Sequence, residues 1–197
     1  MTKRRVPRDA TEAAIRLIRH TYAEARPTTA QIPIGRIIRT ASVFGSGDLS
    51  DALRQAHYLR LVSIAEMFTD ILMSEMLGER LPVDDELITK LMTAAELASS
   101  SSWPRRSEFF SKLHGIRLEE FGRNNELNSA KRVRNIIAHG LGRITQKELE
   151  NSRLNQQLTL VGVQVQDRRV MVNDQSLRIL AELLIDYITW LDRKSFT

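Results

Sequence analysis

The sequence contains no cysteine among its 197 residues. This absence excludes a disulfide framework, a thiolate zinc site and a thiol nucleophile, and it fits a reducing cytoplasm. Histidine is also scarce, and the four histidines form no sequence-local pair of metal ligands such as HExxH. We therefore expect neither a bound metal nor a cofactor.

Long apolar runs are absent too, and none approaches the roughly 18 residues that a membrane-spanning helix needs. The basic start, residues 1–8, lacks the apolar core of a secretory signal. Together these absences predict a cytoplasmic protein with no membrane partner. The formal net charge of +5 is compatible with an anionic partner such as RNA.

Apolar residues recur at helical spacing through most of the chain, which predicts a mostly α-helical fold. The first helix starts near Asp9 or Thr11 and ends near residue 25. The longest helix starts at Asp48 or Ser50 and ends at Gly78. Its apolar pattern predicts the following core residues: Leu53, Ala56, Leu59, Leu61, Ile64, Ala65, Phe68, Ile71, Leu72 and Met76.

Shorter helices are predicted further along the chain. One opens at Pro82, and another follows an N-cap among Ser99–Ser102 and ends at Gly115. Residues 124–128 are interpreted as turn or cap residues before a helix at 129–139. Thr145 and Glu148 have the spacing of a capping box for a short helix.

A β-hairpin is predicted before the final helix. Residues 158–165 alternate apolar and other side chains, Gln166-Asp167 form the turn, and residues 168–172 are the partner strand. The final helix is capped by Asn173 or Asp174. The fold is thus a helical bundle with one hairpin before the C-terminal helix. Residues 1–47 form an arm of helix and linker, packed on the main domain at 48–197 or exchanged between subunits.

One segment stands out for chemistry. Arg134 and His139 are separated by four residues, Asn135 directly follows the arginine, and Gly140 follows the histidine. A long helix lies upstream, and a hairpin and an amphipathic helix lie downstream. This combination resembles the HEPN (higher eukaryotes and prokaryotes nucleotide-binding) family, whose hallmark is R-x4-6-H, often with Asn after the Arg. The resemblance covers roughly residues 48–195.

The resemblance implies a metal-independent endoribonuclease that works as a homodimer, with the R-x4-6-H segments of both subunits facing one cleft. His139 would be the general acid or base, and Arg134 would bind the scissile phosphate. The 2′-hydroxyl of the RNA would attack, leaving a cyclic phosphate. Bacterial members commonly serve as toxins or phage-defence effectors, so an antitoxin or regulatory protein is a further expected partner. Leu141 replaces a tyrosine that is modified in one toxin subtype, which argues against that subtype.

The residue types fit this chemistry on their own terms. An imidazole both accepts and donates protons near neutral pH, and a guanidinium offers a charged planar fork to phosphate oxygens. In a straight helix of about 100° per residue, Arg132 and Asn135 lie about 20° and 40° from His139, whereas Arg134 lies about 140° away. We therefore expect a second subunit to complete the site.

Further residues are assigned supporting roles. Lys131, Arg132 and Arg143 are predicted to bind RNA, and Glu66 on the long helix either orients Arg134 or is simply solvated. His139 could instead interact with the helix dipole, and Arg134 could be a structural ion-pair residue. The alternative function is a non-catalytic HEPN-like module that binds RNA or a nucleotide or mediates dimerisation.

Overall fold

The computed structural model describes residues 8–25, 49–79, 102–150 and 152–196, together with the helical positions 86, 89, 90 and 93. The predicted linker at 27–47 and most of the helix predicted from Pro82 lie outside the described residues. The described part is mostly helical, with a two-stranded antiparallel hairpin before the C-terminal helix. The predicted class, a helical bundle with one hairpin, is therefore confirmed.

The secondary structure follows the chain in this order. The helices are α1 (Asp9–Ala25), α2 (Leu49–Gly78), α3 (Trp103–His114), α4 (Asn124–Gly140), α5 (Gln146–Leu149), α6 (Leu154–Leu160) and α7 (Asp174–Lys194), with a 3-10 turn at Leu118–Glu120 between α3 and α4. The strands are β1 (Gln164–Gln166) and β2 (Arg169–Met171), paired with Val165 opposite Val170. Within the described ranges, no helix is both long and apolar enough to cross a membrane.

The helix ends that depend on local signals are confirmed. The Ser102 hydroxyl accepts a hydrogen bond from the Arg105 amide at 3.4 Å, and Gly115 ends α3 at a φ of 70°. Thr145 and Glu148 form the reciprocal capping box. These ends were predictable because a cap involves only residues three or four apart in the chain.

The start of α4 was predicted wrongly. The helix begins at Asn124, so residues 124–128 form its first turns rather than a turn before it. Leu127 is 2% exposed, and its burial outweighs the weak helix preference of the asparagines around it.

The extent of β1 was also predicted wrongly. Residues 158–160 belong to α6, because Leu154 and Leu158 are both buried at the four-residue spacing of a helix. The hairpin turn is Asp167-Arg168, one residue later than expected, and both residues have positive φ angles, 49° and 60°. That combination is typical of the two-residue turns that match strand twist.

The apolar pattern of α2 predicted only part of the set of side chains that α2 buries. Leu53 and Ile71 are exposed, at 45% and 41%, and Ala56 is exposed as well. Tyr58 and Val62, which the predicted stripe omits, are buried. A long helix with apolar residues around most of its circumference does not reveal which of them face the core.

The chain forms two compact units, and α1, α2 and α7 each contribute one end to each unit. Unit 1 comprises residues 1–17, 64–124 and 185–197. In it the Thr11 hydroxyl donates to Asp192 at 2.8 Å, and both side chains are buried. Thr11 therefore lies inside α1 and connects it to α7, rather than capping α1.

Unit 1 also contains a group of polar contacts centred on the buried Arg106, which we call the Arg106 cluster: Arg106, Asp70, Trp103 and Glu66. Arg106 donates from Nε and Nη2 to the two carboxylate oxygens of Asp70, at 2.8 Å each. Its guanidinium lies 5.5 Å from the centre of the Trp103 ring, and the Trp103 indole donates to Glu66 at 2.9 Å. Burial opposes the charge of Arg106, but the hydrogen bonds and charge of Asp70, helped by Glu66, outweigh it and raise the pKa of the guanidinium.

Unit 2 comprises residues 18–63 and 125–184 and therefore includes nearly all of α4, all of α5 and α6, and the hairpin. Its largest fully buried side chains come from α1, α2, α4, α6 and α7: Ile18, Tyr58, Leu61, Leu127, Leu158, Leu177 and Leu180. The Asn173 side chain accepts from the Ser176 amide at 2.8 Å and begins α7, as predicted.

Candidate functional site

Helix α4 carries the Arg134–His139 segment and has two distinct faces. One face is buried against the core of unit 2 through Leu127, Ala130, Val133, Ile136 and Ile137. On the opposite side, Asn135, Ala138 and His139 are exposed. The apolar face therefore anchors the helix, and the polar residues of the segment remain accessible to a ligand.

Arg134 lies at the flank of the buried face and is half-buried. Its Nη1 donates to the side-chain oxygen of Asn135 at 3.1 Å. The aliphatic part of an arginine side chain is long enough for the guanidinium to reach the next residue, which lies about 100° further around the helix. The acceptor in this bond is a neutral amide, so the bond itself does not neutralise the guanidinium.

Two further basic residues, Lys131 and Arg132, precede Arg134 on the same helix. Arg132 is half-buried and donates from Nη1 to the Gln157 side chain at 2.8 Å, which ties α4 to α6. Lys131 is also half-buried. Their predicted role in RNA binding stays a prediction, and Arg132 in addition has a structural contact.

The chain reverses immediately after His139, which occupies the last turn of α4. Leu141 and Gly142 both have positive φ angles, 50° and 78°. The Gly142 amide donates to the carbonyl of Ile136 at 3.3 Å, and the Arg143 amide to that of Gly140 at 2.9 Å. The imidazole is therefore presented at a well-defined helix end.

The hairpin holds this reversal in place. The Ile144 amide donates to the Arg168 carbonyl at 2.8 Å, and the Val170 amide donates to the Gly142 carbonyl at 2.9 Å. Arg143 thereby pairs with Arg169 as an antiparallel bridge at the edge of β2. The predicted RNA-binding residue Arg143 is exposed at this position.

Helix α2 supports the same loop through residues that the sequence did not single out. A Cβ atom built on Gly142 would lie 2.9 Å from Nε2 and 3.1 Å from Oε1 of Gln55, so the glycine allows a close approach. The Gln55 amide donates to Asp51 at 2.9 Å, and Asp51 is buried. No local pattern predicts this contact, because Gln55 and Gly142 are far apart in the chain.

Glu66, predicted to support Arg134, accepts a hydrogen bond from Trp103 within unit 1. Arg134 belongs to unit 2. The hydrogen bond from Trp103 gives Glu66 a structural contact within unit 1. The predicted role of Glu66 in orienting Arg134 stays a prediction.

No protein-family model matches the chain, and neither the curated proteins nor the solved structures include a match. The HEPN assignment therefore stays a prediction, and the case for the site rests on its own geometry. That geometry brings Arg134 and Asn135 together and places His139 at the exposed end of the same helix. Within the described ranges, no three His, Asp or Glu side chains form a group that could hold a metal ion.

Proposed function

We propose that the protein is a metal-independent endoribonuclease whose catalytic residues are His139, Arg134 and Asn135. The observation that carries the proposal is the exposure of His139 and Asn135 on a helix whose other face is firmly anchored in the core. A bacterial toxin or phage-defence role, with a regulatory protein as partner, is the biological setting we infer from the family resemblance.

The chemistry assigns one task to each side chain. His139 moves a proton between the RNA and water, and an exposed imidazole has the access to solvent which this requires. Arg134 binds the phosphate whose negative charge grows in the transition state. Asn135 accepts from Nη1 of Arg134 and so orients the guanidinium fork.

The site is completed by a second subunit. Arg134 and His139 leave the helix about 140° apart, and Arg134 directs Nη1 to Asn135. In a two-fold symmetric dimer, Arg134 of one subunit can face His139 of the other, and the reverse pair forms at the same time. This arrangement brings together the two groups that one helix separates.

The decisive experiment incubates a mixed RNA pool with the protein in EDTA. The wild type is expected to cleave it and to leave cyclic phosphate ends. His139→Ala is expected to reduce the rate by about 10²- to 10⁴-fold, since it removes the proton-transfer group. The matched control is His20→Ala, which removes another exposed histidine of unit 2 and should leave cleavage unchanged. Equal rates for wild type and His139→Ala would rule out the assignment.

A mixing experiment tests the shared site. His139→Ala and Arg134→Ala are each expected to be inactive, and a mixture that has exchanged subunits should regain part of the activity. One of the two sites in the mixed dimer then contains both intact residues. Failure to recover activity, with subunit exchange demonstrated, would place the whole site within one chain.

The second candidate function is a module that binds RNA or a nucleotide without cleaving it. It is favoured by one observation: Nη1 of Arg134 donates to the Asn135 side chain, which orients the guanidinium without involving the imidazole of His139. Tight RNA binding by the wild type, with no cleavage of any RNA in the pool, would establish this function instead.

A further inference from the structure

The bridge between Arg143 and Arg169 places two like charges side by side. The two hydrogen bonds that flank the pair, from Ile144 to Arg168 and from Val170 to Gly142, identify it as a non-hydrogen-bonded antiparallel pair. In such pairs the Cα atoms are about 4.5 Å apart and the side chains leave on the same face. Two guanidinium groups therefore start from adjacent positions.

Neither guanidinium is neutralised by a neighbour. Arg143 is exposed and Arg169 half-buried, and neither side chain has a hydrogen-bond or ion-pair partner among the described residues. Like charges directly opposite each other destabilise a sheet. An anion bound between them would convert this repulsion into attraction.

The hairpin adds an uncharged amide to this face. Gln166 is opposite Arg169 in the hairpin, so Arg143, Arg169 and Gln166 form a row across three adjacent chain segments. Alternation along β2 turns Val170 to the other side, where it is fully buried. The row thus points outward and offers two guanidinium forks and one amide.

We propose that this row, which we call the arginine row, binds the phosphate backbone of RNA beside the catalytic histidine. Guanidinium forks match phosphate oxygens in geometry and charge. Arg143 follows His139 by four residues, so their Cα atoms are at most about 14 Å apart. The inference rests on the proposed ribonuclease function for the identity of the anion, and the geometry of the row is independent of that function.

The test uses single-stranded DNA, which carries the same phosphates but has no 2′-hydroxyl and so is not a substrate. Arg143→Gln and Arg169→Gln are each expected to weaken DNA binding about 5-fold and to lower the slope of log affinity against log salt by about 0.7. The matched control is Arg178→Gln, which removes an exposed arginine of the same unit that is already paired with Glu182. It should bind almost as the wild type does.

Thermal melting excludes unfolding as the cause. Removing one member of a like-charge pair should leave the Tm unchanged or slightly higher. Wild-type DNA affinity and salt slope in both variants would overturn the arginine row, as would failure of the wild type to bind DNA.

RNA kinetics distinguish this inference from the proposed function. If the wild type cleaves RNA, Arg169→Gln should raise KM with little change in kcat, because the arginine row binds the RNA equally tightly in the ground state and in the transition state. An unchanged KM would show that the row does not hold substrate. Conversely, if no RNA is cleaved but the DNA affinity still falls in both variants, the catalytic proposal fails and the phosphate site stands.

Discussion

Arg106 and Arg134 both lie on α-helices, and both make side-chain hydrogen bonds, yet they illustrate opposite uses of the same residue type. Arg106 is 6% exposed and binds both oxygens of Asp70. Arg134 is half-buried and donates to the neutral amide of Asn135. The first arrangement pairs a buried guanidinium with a carboxylate, whereas in the second the guanidinium is half-buried and the acceptor is an exposed neutral amide.

The residues around Arg106, judged by type alone, could form either a binding patch or a structural contact. Trp103, Arg105 and Arg106 together look like a stacking and phosphate-binding patch. In the structure the Trp103 indole donates to Glu66, and its ring contacts Tyr187 edge-on at 6.0 Å between centroids. These contacts give Trp103 and the buried Arg106 a structural role, whereas Arg105 is exposed.

The largest expected effect on stability concerns Arg106→Met. The substitution leaves Asp70 as a partly buried charge without its guanidinium, and we expect the free energy of unfolding to fall by about 3 kcal/mol. Arg105→Met is the control, because Arg105 is an exposed neighbour whose partner is also exposed. Denaturant titration measures both.

Adding Asp70→Leu to Arg106→Met sharpens this test. The double variant removes both charges and is expected to recover most of the lost stability. If Arg106→Met alone were as stable as the wild type, the contrast between the two arginines would be lost.

The next effect concerns the loop that follows His139. Gly142→Ala forces a side chain into a φ of 78° and displaces the Gln55 amide, and we expect a loss of about 1–2 kcal/mol. RNA cleavage should fall as well, because the loop ends the helix that presents His139. Gly140→Ala is the control, since no atom lies within 4 Å of the added Cβ.

Substitution of two buried tyrosines by phenylalanine is expected to have smaller effects on stability, and the two effects should differ. The Tyr187 hydroxyl lies 3.3 Å from the Thr69 hydroxyl, whereas the buried Tyr58 hydroxyl has no hydrogen-bond partner in the part of the chain that the structure describes. Tyr187→Phe is expected to lose about 1 kcal/mol, and Tyr58→Phe to be neutral or slightly stabilising. A clear loss of stability in Tyr58→Phe would contradict this difference between the two tyrosines.

Alkaline pH provides an independent check on Tyr58. Burial raises the pKa of its hydroxyl far above the ordinary range. The unfolded chain releases this proton above pH about 10, while the folded protein retains it, so stability must fall as the pH rises through that value. Tyr58→Phe should show a shallower alkaline loss than the wild type.

The smallest expected effect on stability concerns Arg134→Met. Because Arg134 is half-exposed and bonded to a surface amide, we expect a change below about 1 kcal/mol. The proposed role of Arg134 in phosphate binding nevertheless predicts that cleavage is lost. A loss of stability as large as that of Arg106→Met would make Arg134 a structural residue too.

The residues of the candidate site itself were accessible from the sequence. Ala130, Val133 and Ile137 recur at helical spacing within the predicted helix, and the structure buries all three. The same spacing leaves Asn135 and His139 exposed. The start of the helix at Asn124 was missed, because asparagine is common both in turns and at helix starts.

The sequence by itself determined the helical class, the caps of α3, α5 and α7, and the presence of a hairpin before the last helix, since these depend mainly on residues close together in the chain. Only the tertiary structure decided that Arg106 meets Asp70, that Gln55 meets Gly142 and that Arg143 meets Arg169. Each of these pairs joins distant parts of the chain, and packing of the helices and the hairpin sets which side chains become neighbours. The Arg134–His139 segment was visible as a pattern, and the fold supplied the charged row beside it.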